Sequence, residues 1–171
     1  MKSSTSTNIK LRDKPNDKIY TPQSLLKIHL ELLTDFVKDG DIVFDAFYGD
    51  GRYYNLFPEY FKNNNFDYTE IDLNKDFFLY DKQVDVIISN PPYSMIDKVL
   101  EKSIELNPHT ISYLIGQHNL TNKRIEFMNG NGYYLVKLHF TKVYQWFGMS
   151  AIVVFCKNGI NCISYDRQVH K

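Results

Sequence analysis

The run Asp85-Val86-Ile87-Ile88-Ser89 breaks abruptly into Asn90-Pro91-Pro92-Tyr93, and this break constrains the fold more than any other feature of the chain. Two consecutive prolines fix φ, remove backbone donors and push the preceding residue into extended conformations, so neither strand nor helix continues through them. Asn90 and the Pro91 carbonyl are thereby held stiffly just past a strand's C-terminal edge, which is where open α/β sheets bind ligands. An amide side chain, a carbonyl with no competing neighbouring N–H and the Tyr93 ring converge there. Two acceptors and a stacking face suit a planar group carrying an NH₂. A surface Pro-Pro turn would read the same way, so the rest of the chain has to decide.

With 171 residues, 43% of them hydrophobic and 23% charged, the chain has enough material for one globular core. Twenty Lys and Arg balance twenty Asp and Glu, so affinity for nucleic acid has to come from a local patch. Cys156 and Cys162 are the only cysteines and show no paired Cys/His spacing. This predicts reduced thiols in a cytoplasmic compartment and no metal site. No apolar run approaches the ~18 residues of a membrane span.

Residues 1–17 are polar and aperiodic and read as a flexible tail, whose Lys2, Lys10, Arg12 and Lys14 fit a solvated segment better than a phosphate site. A single domain is expected over residues 18–171. It opens at Tyr20-Thr21-Pro22, with Thr21 as N-cap, Pro22 at the first helical position, and Leu26, Leu30, Leu33 and Val37 at helical spacing to Lys38. A short buried strand from Asp41 then leads through Asp45-Ala46-Phe47-Tyr48-Gly49-Asp50-Gly51 into a helix ending near Lys62. Glycines there let the backbone pass close to a ligand, and helix-start N–H groups favour a carboxylate. Phe66 to Asp72 reads as a second strand ending in acids. Glu70, about 20 positions past the glycines, is placed to accept both hydroxyls of a ribose, with Asp72 as runner-up. Further on, Ser94 to Leu106 has a helical apolar face, and Thr110 to Ile115 is a buried strand followed by Gln117-His118-Asn119. His118 reads as a loop histidine. Thr121 to Asn129 forms a short helix whose Lys123 and Arg124 are candidates for a phosphate backbone, and Tyr133–Phe140 and Ala151–Cys156 form a closing antiparallel pair. Trp146 and Phe147 lie in the segment joining that pair, as substrate-facing or core rings.

Asn-Pro-Pro-Tyr resembles motif IV of the S-adenosylmethionine (SAM)-dependent amino-methyltransferases. The other segments are similar to that family's motifs in the order X, I, II, III, IV found in one arrangement of its N6-adenine members: Tyr20-Thr21-Pro22, the Asp45 to Gly51 turn with Ala46 in place of the usual proline, Glu70, and Asp76-Phe77-Phe78. The resemblance spans about Lys18 to Lys157. It implies a mostly parallel Rossmann-like α/β sheet with a C-terminal antiparallel hairpin. It also implies SAM held by Tyr20, Thr21, Pro22, Asp45, Phe47, Gly49, Gly51, Glu70, Asp76 and Phe77, with Asp76 accepting from the adenine amino group and Phe77 packing on its ring. Asn90, Pro91, Pro92 and Tyr93 would form the catalytic element, with Tyr93, Trp146, Phe147, Lys123 and Arg124 on the substrate side. Only five residues separate Glu70 from Asp76, too few for the helix and strand the family places there, so a trimmed sheet with no helix in that interval is expected.

The implied reaction is methyl transfer to the exocyclic N6 of adenine, with DNA ahead of RNA. The same motif resembles that of enzymes methylating a glutamine amide on a protein. The absent target-recognition domain and the compressed loop are also compatible with a degenerate fold serving as a subunit, or with a partner subunit that supplies recognition.

Overall fold

The computed structural model describes residues 21–143 and 148–165. Chain order gives α1 (Gln23–Glu31), β1 (Ile42–Asp45), α2 (Arg52–Tyr60), β2 (Asn65–Tyr68), β3 (Val86–Ser89), α3 (Ile96–Glu105), β4 (Thr110–Gly116), α4 (Asn122–Gly130), β5 (Tyr133–Thr141) and β6 (Ser150–Lys157). The strands form one six-stranded sheet in the order β2-β1-β3-β4-β6-β5. The first four are parallel to their neighbours, and β6 runs antiparallel to both β4 and β5, as the sequence implies. From β1 the chain moves outward to β2, then returns to β3 on the other side of β1. The switch point of the sheet therefore lies between the C-terminal ends of β1 and β3, where such sheets open a crevice.

Strand β3 shows why the sheet is buried on both faces. Val86, Ile87, Ile88 and Ser89 each expose 0% of their surface. Alternation sends Val86 and Ile88 to the layer with Leu26, Leu30, Tyr53 and Phe57 of α1 and α2, and Ile87 to the layer with Ile96, Val99, Ile125 and Met128 of α3 and α4. Each of the three apolar side chains contributes about 1.5–3 kcal/mol by burial.

Three expectations are corrected. Helix α1 begins at Gln23 and ends at Glu31, with hydrogen-bonded turns continuing to Val37. Pro22, extended at φ −59° and ψ 141°, takes the cap position and no side chain caps the helix. Thr21 is not the N-cap because its hydroxyl is engaged elsewhere, accepting from Asn90. Between Glu70 and Asp76, where no helix was expected, a single 3₁₀ turn, Ile71–Leu73, is closed by the Glu70 side chain accepting from the Asp72 N–H. The parallel sheet nevertheless stops at β2, so the interval is trimmed as the spacing requires.

Candidate active site

Strands β1 and β3 each deliver a polar residue to the switch point. Asp45 closes β1 and is fully buried; its Oδ1 accepts from the Ser89 hydroxyl at 2.7 Å and from the Phe47 N–H at 3.3 Å. Ser89 Oγ also accepts from the Phe47 N–H at 3.0 Å, so the turn after β1 is tied to the end of β3. Asp45 Oδ2 is enclosed and has no hydrogen-bonding partner. Burial pushes the Asp45 carboxyl up to about 7; the Ser89 and Phe47 hydrogen bonds oppose the rise, and the Glu70 charge adds to it.

The glycine turn has the expected backbone. Gly49 (φ 59°) and Gly51 (φ 82°) occupy the left-handed region, and Gly51 caps α2. A Cβ on Gly51 would lie 2.5 Å from the Tyr48 hydroxyl, so a side chain there meets two obstacles, a left-handed backbone and a tyrosine ring that must move. Glu70 reaches back to this turn, its Oε2 accepting from the Gly49 N–H at 2.7 Å and its Oε1 from the Asp72 N–H at 3.2 Å. A carboxylate offers about four lone-pair sites, so two remain for an incoming pair of hydroxyls. Asp76 accepts from the Phe78 N–H at 2.9 Å and starts a second 3₁₀ turn. Phe77 is 3% exposed, inside an aromatic stack with Phe44 and Phe47, and Phe47 is the partly exposed member of that stack.

At the end of β3, Asn90 Nδ2 donates to Thr21 Oγ1 at 3.1 Å, and Asn90 Oδ1 is enclosed without a partner. An unpaired buried acceptor costs about 1–3 kcal/mol, and two of the four unpartnered buried side-chain atoms among the described residues, Asp45 Oδ2 and Asn90 Oδ1, lie on either side of the switch point. Arg52 Nη1 donates to the Thr21 carbonyl at 3.2 Å, locking the segment ahead of α1 against the glycine turn. The Pro92 carbonyl accepts from the Met95 N–H at 3.1 Å, so the Pro-Pro element passes into a 3₁₀ turn, Tyr93–Met95, leading into α3. Tyr93 packs on the core, and burial raises its phenol to about 12, so it is neutral at physiological pH.

Thr21, Asp45, Gly51, Glu70 and Asn90 are thus brought together. Arg124 is corrected: its guanidinium donates to Asp97 at 2.7 Å and to the Asn119 carbonyl at 2.8 Å, pinning α4 to α3 rather than presenting a free cation to a phosphate backbone. Lys123 is exposed on α4. Tyr20, Trp146, Phe147 and residues 1–17 lie outside the described residues. The sequence reading passed over Ser89, His29, Tyr53 and Ser112. For His29 a signal existed, since a histidine three residues after Leu26 falls on the apolar stripe of its own helix.

No protein-family model matches the sequence, and no curated protein matches it. Solved structures match it by shape. The chain is similar to a candidate RNA methyltransferase of Pyrococcus horikoshii (16% identity, TM-score 0.62, 90% of this chain and 96% of that one). It is also similar to Mtq2 of E. cuniculi, solved with Trm112 in a complex responsible for methylation of the termination factor eRF1 (17% identity, TM-score 0.56, 81% and 97%). A third is the 1,6-didemethyltoxoflavin N1-methyltransferase of Burkholderia thailandensis, solved with S-adenosylhomocysteine (10% identity, TM-score 0.59, 90% and 84%). The fold is that of the class I SAM-dependent methyltransferases.

Proposed function

We propose that this chain is a SAM-dependent methyltransferase acting on a planar NH₂ group, the exocyclic N6 of adenine in nucleic acid. The observation that carries the reading is the Asn90 amide, anchored by Thr21 through its nitrogen and keeping an unpartnered oxygen at the sheet's switch point, directly before Pro91-Pro92-Tyr93. The residues present fit the cofactor. The enclosed Asp45 Oδ2 suits an ammonium, Glu70 has acceptor capacity left for ribose hydroxyls, and the Gly49-Asp50-Gly51 turn gives close backbone approach. When bound, SAM supplies an electrophilic methyl on a sulfonium.

The chain's own residues orient the acceptor. An adenine N6 lone pair is delocalised into its ring and is a poor nucleophile. Accepting its hydrogens at Asn90 Oδ1 and the Pro91 carbonyl favours a pyramidal nitrogen and aims the lone pair, which is positioning plus preferential stabilisation of the transition state. Tyr93 supplies a ring to hold the base by stacking. Because Asn90 Oδ1 is enclosed, the acceptor reaches it only when covering side chains shift.

A glutamine amide of a protein offers the same two hydrogens, and the Mtq2 likeness keeps that acceptor in view. The test is incubation with methyl-labelled SAM and, separately, DNA, RNA and protein, followed by mass spectrometry. Label on adenine N6 is the expected result. Label only on protein glutamine would replace the nucleic-acid reading, and no label in any arm together with no heat of SAM binding in calorimetry would end the enzyme reading.

A further inference from the structure

Four side-chain atoms among the described residues are enclosed without a hydrogen-bonding partner: Asp45 Oδ2, Asn90 Oδ1, Asn129 Oδ1 and Ser150 Oγ. Asp45 and Asn90 belong to the cofactor and acceptor surfaces proposed above. Ser150, 0% exposed at the start of β6, has no part in that chemistry. Buried polar groups are nearly always paired, so a hydroxyl with neither its proton nor its lone pairs engaged by the chain is available to a ligand.

The sheet places this hydroxyl on the same face as the site. Val43 and Ile88 pack in the layer of α1 and α2, and Phe44 and Ile87 in the opposite one, so by alternation Asp45 and Asn90 lie on the α1 side. In β6, Val154 belongs to that same layer and Ile152 packs with Leu25 of α1, whereas Ala151 and Val153 belong to the other layer. Ser150 therefore also lies on the α1 side. Between the strands of Asn90 and Ser150 runs β4, which ends in Gly116, the residue paired with Ser150. No β4 side chain stands there; a Cβ on Gly116 would meet His118 Cε1 at 2.8 Å, so the edge of that imidazole rests on the bare Cα. One step past the Ser89–Tyr113 pair, Asn90 is level with Leu114 and Ile152, and Ser150 lies two residues further toward the site edge. Two strand spacings and two residue rises put the Cα atoms of Asn90 and Ser150 about 12 Å apart.

We infer that Ser150 is a second acceptor-binding residue: its hydroxyl donates to adenine N3, the ring nitrogen across the six-membered ring from the amino-bearing carbon, while Asn90 holds the amino group. The inference rests on the Asn90 reading above and deepens it. Asn90 Oδ1 only accepts, and Ser150 brings the donor that a ring nitrogen requires. Hydrogen bonds of about 3 Å at each end leave a gap between them that a ring system fills when its amino group and its acceptor lie on opposite sides. A glutamine amide carries its nitrogen and oxygen on one carbon and is too short to meet both residues. In cytosine the atom across the ring from the amino-bearing carbon is N1, which carries the sugar and offers no lone pair. The pair thus selects adenine over both.

Stability is the first test. An enclosed hydroxyl with no partner contributes only a desolvation cost, so Ser150→Ala should melt at or above the wild-type temperature. With labelled SAM and an adenine-containing single-stranded oligonucleotide, the KM of Ser150→Ala for the oligonucleotide should rise roughly tenfold at unchanged KM for SAM, the effect of leaving one buried acceptor unpaired. The wild type given the same oligonucleotide with 3-deazaadenine at the target, in which C–H replaces N3, should show a rise of similar size. Ser150→Ala should show no further rise on that substrate. Equal KM values for wild type and Ser150→Ala, losses that multiply when the two changes are combined, or a Tm that falls together with activity in Ser150→Ala would each overturn the role of Ser150. Loss of turnover in Asn90→Ala beside such a result would leave the Asn90 reading standing, whereas no label on adenine N6 in the wild type would remove that reading and this inference together.

Discussion

Asn90 and Tyr93 separate orientation from scaffolding. Asn90→Ala removes an acceptor at the proposed reacting centre and should cut turnover by about 10²-fold or more with little change in SAM affinity, whereas Tyr93→Ala should forfeit ~1–3 kcal/mol of stacking and weaken substrate binding. Steady-state kinetics beside SAM calorimetry resolves the two. Activity that follows melting temperature in both variants would assign them to the turn alone. Two buried groups titrate in opposite senses. Burial raises Asp45 from 3.8 to about 7 and lowers His29 from 6.5 to about 3, with the His139 charge adding to the second shift. For Asp45 the folded state keeps a proton that the unfolded chain releases, so its stabilisation is complete below about pH 4 and is lost as pH rises toward 7. For His29 the unfolded chain takes up a proton that the folded state refuses, so stability is complete above about pH 6.5 and falls toward pH 3. Over about pH 4 to 6.5 the slopes oppose. Asp45→Asn should uncover the histidine, making stability rise with pH by roughly 1.4 kcal/mol per unit more steeply than in the wild type. Urea unfolding across that window checks it, and parallel slopes would count against the buried Asp45 proton.

Among the elements, the turn from β1 to α2 carries the most conformational constraint. Gly51 and Gly132 share a φ of 82°, but a Cβ on Gly132 meets nothing within 4 Å while one on Gly51 meets the Tyr48 ring. Ala at either position costs about 1–2 kcal/mol for left-handed backbone. Gly51→Ala should cost more than Gly132→Ala, by the energy of displacing Tyr48 from its contacts with Tyr54 and Tyr68. Chemical denaturation of both variants measures the difference, and equal losses would show that Tyr48 yields freely. The 3₁₀ turn at Ile71–Leu73 illustrates what a short interval permits. Glu70 serves at once as the strand-end acid, the cap of that turn and the acceptor for Gly49, so one residue ties together parts that a longer fold would space apart.

Taken whole, the molecule is a sheet whose parallel half stops at β2, one strand beyond the switch point. Asp45, Gly51, Glu70 and Asn90 still cluster along one edge, the surface proposed to hold the cofactor. SAM at about 100 times its Kd should stabilise the folded state by about 2.7 kcal/mol, a rise of roughly 5–10 °C in Tm for a chain of this size. A melting curve unmoved by millimolar SAM or S-adenosylhomocysteine would mean that the trimmed edge no longer holds the cofactor.

Local chemistry determined what local chemistry can. Pro91 and Pro92 ended β3, the glycine spacing set the turn after β1, and five residues between Glu70 and Asp76 left no room for the missing helix and strand. Apolar runs placed β1, β3, β4 and β6 to within a few residues because burial on both faces leaves a continuous hydrophobic signature, whereas the edge strands β2 and β5 are only partly buried. Thr21 escaped this logic. As a sequence feature it is an N-cap, yet a residue 69 positions away claims its hydroxyl, and no propensity encodes a partner at that separation. Arg124 likewise reads as a surface cation until α3 brings Asp97 against it. His29, Tyr53 and Ser112 come from three elements and become a line only when α1 and α2 pack on the same face of the sheet. The strand ends and their acids follow from the order of residues along the chain, but which polar side chains meet behind those ends, Asn90 with Thr21 and His29 with Tyr53 and Ser112, depends on how the helices pack on the sheet, because partners so far apart in sequence are chosen only by the tertiary fold.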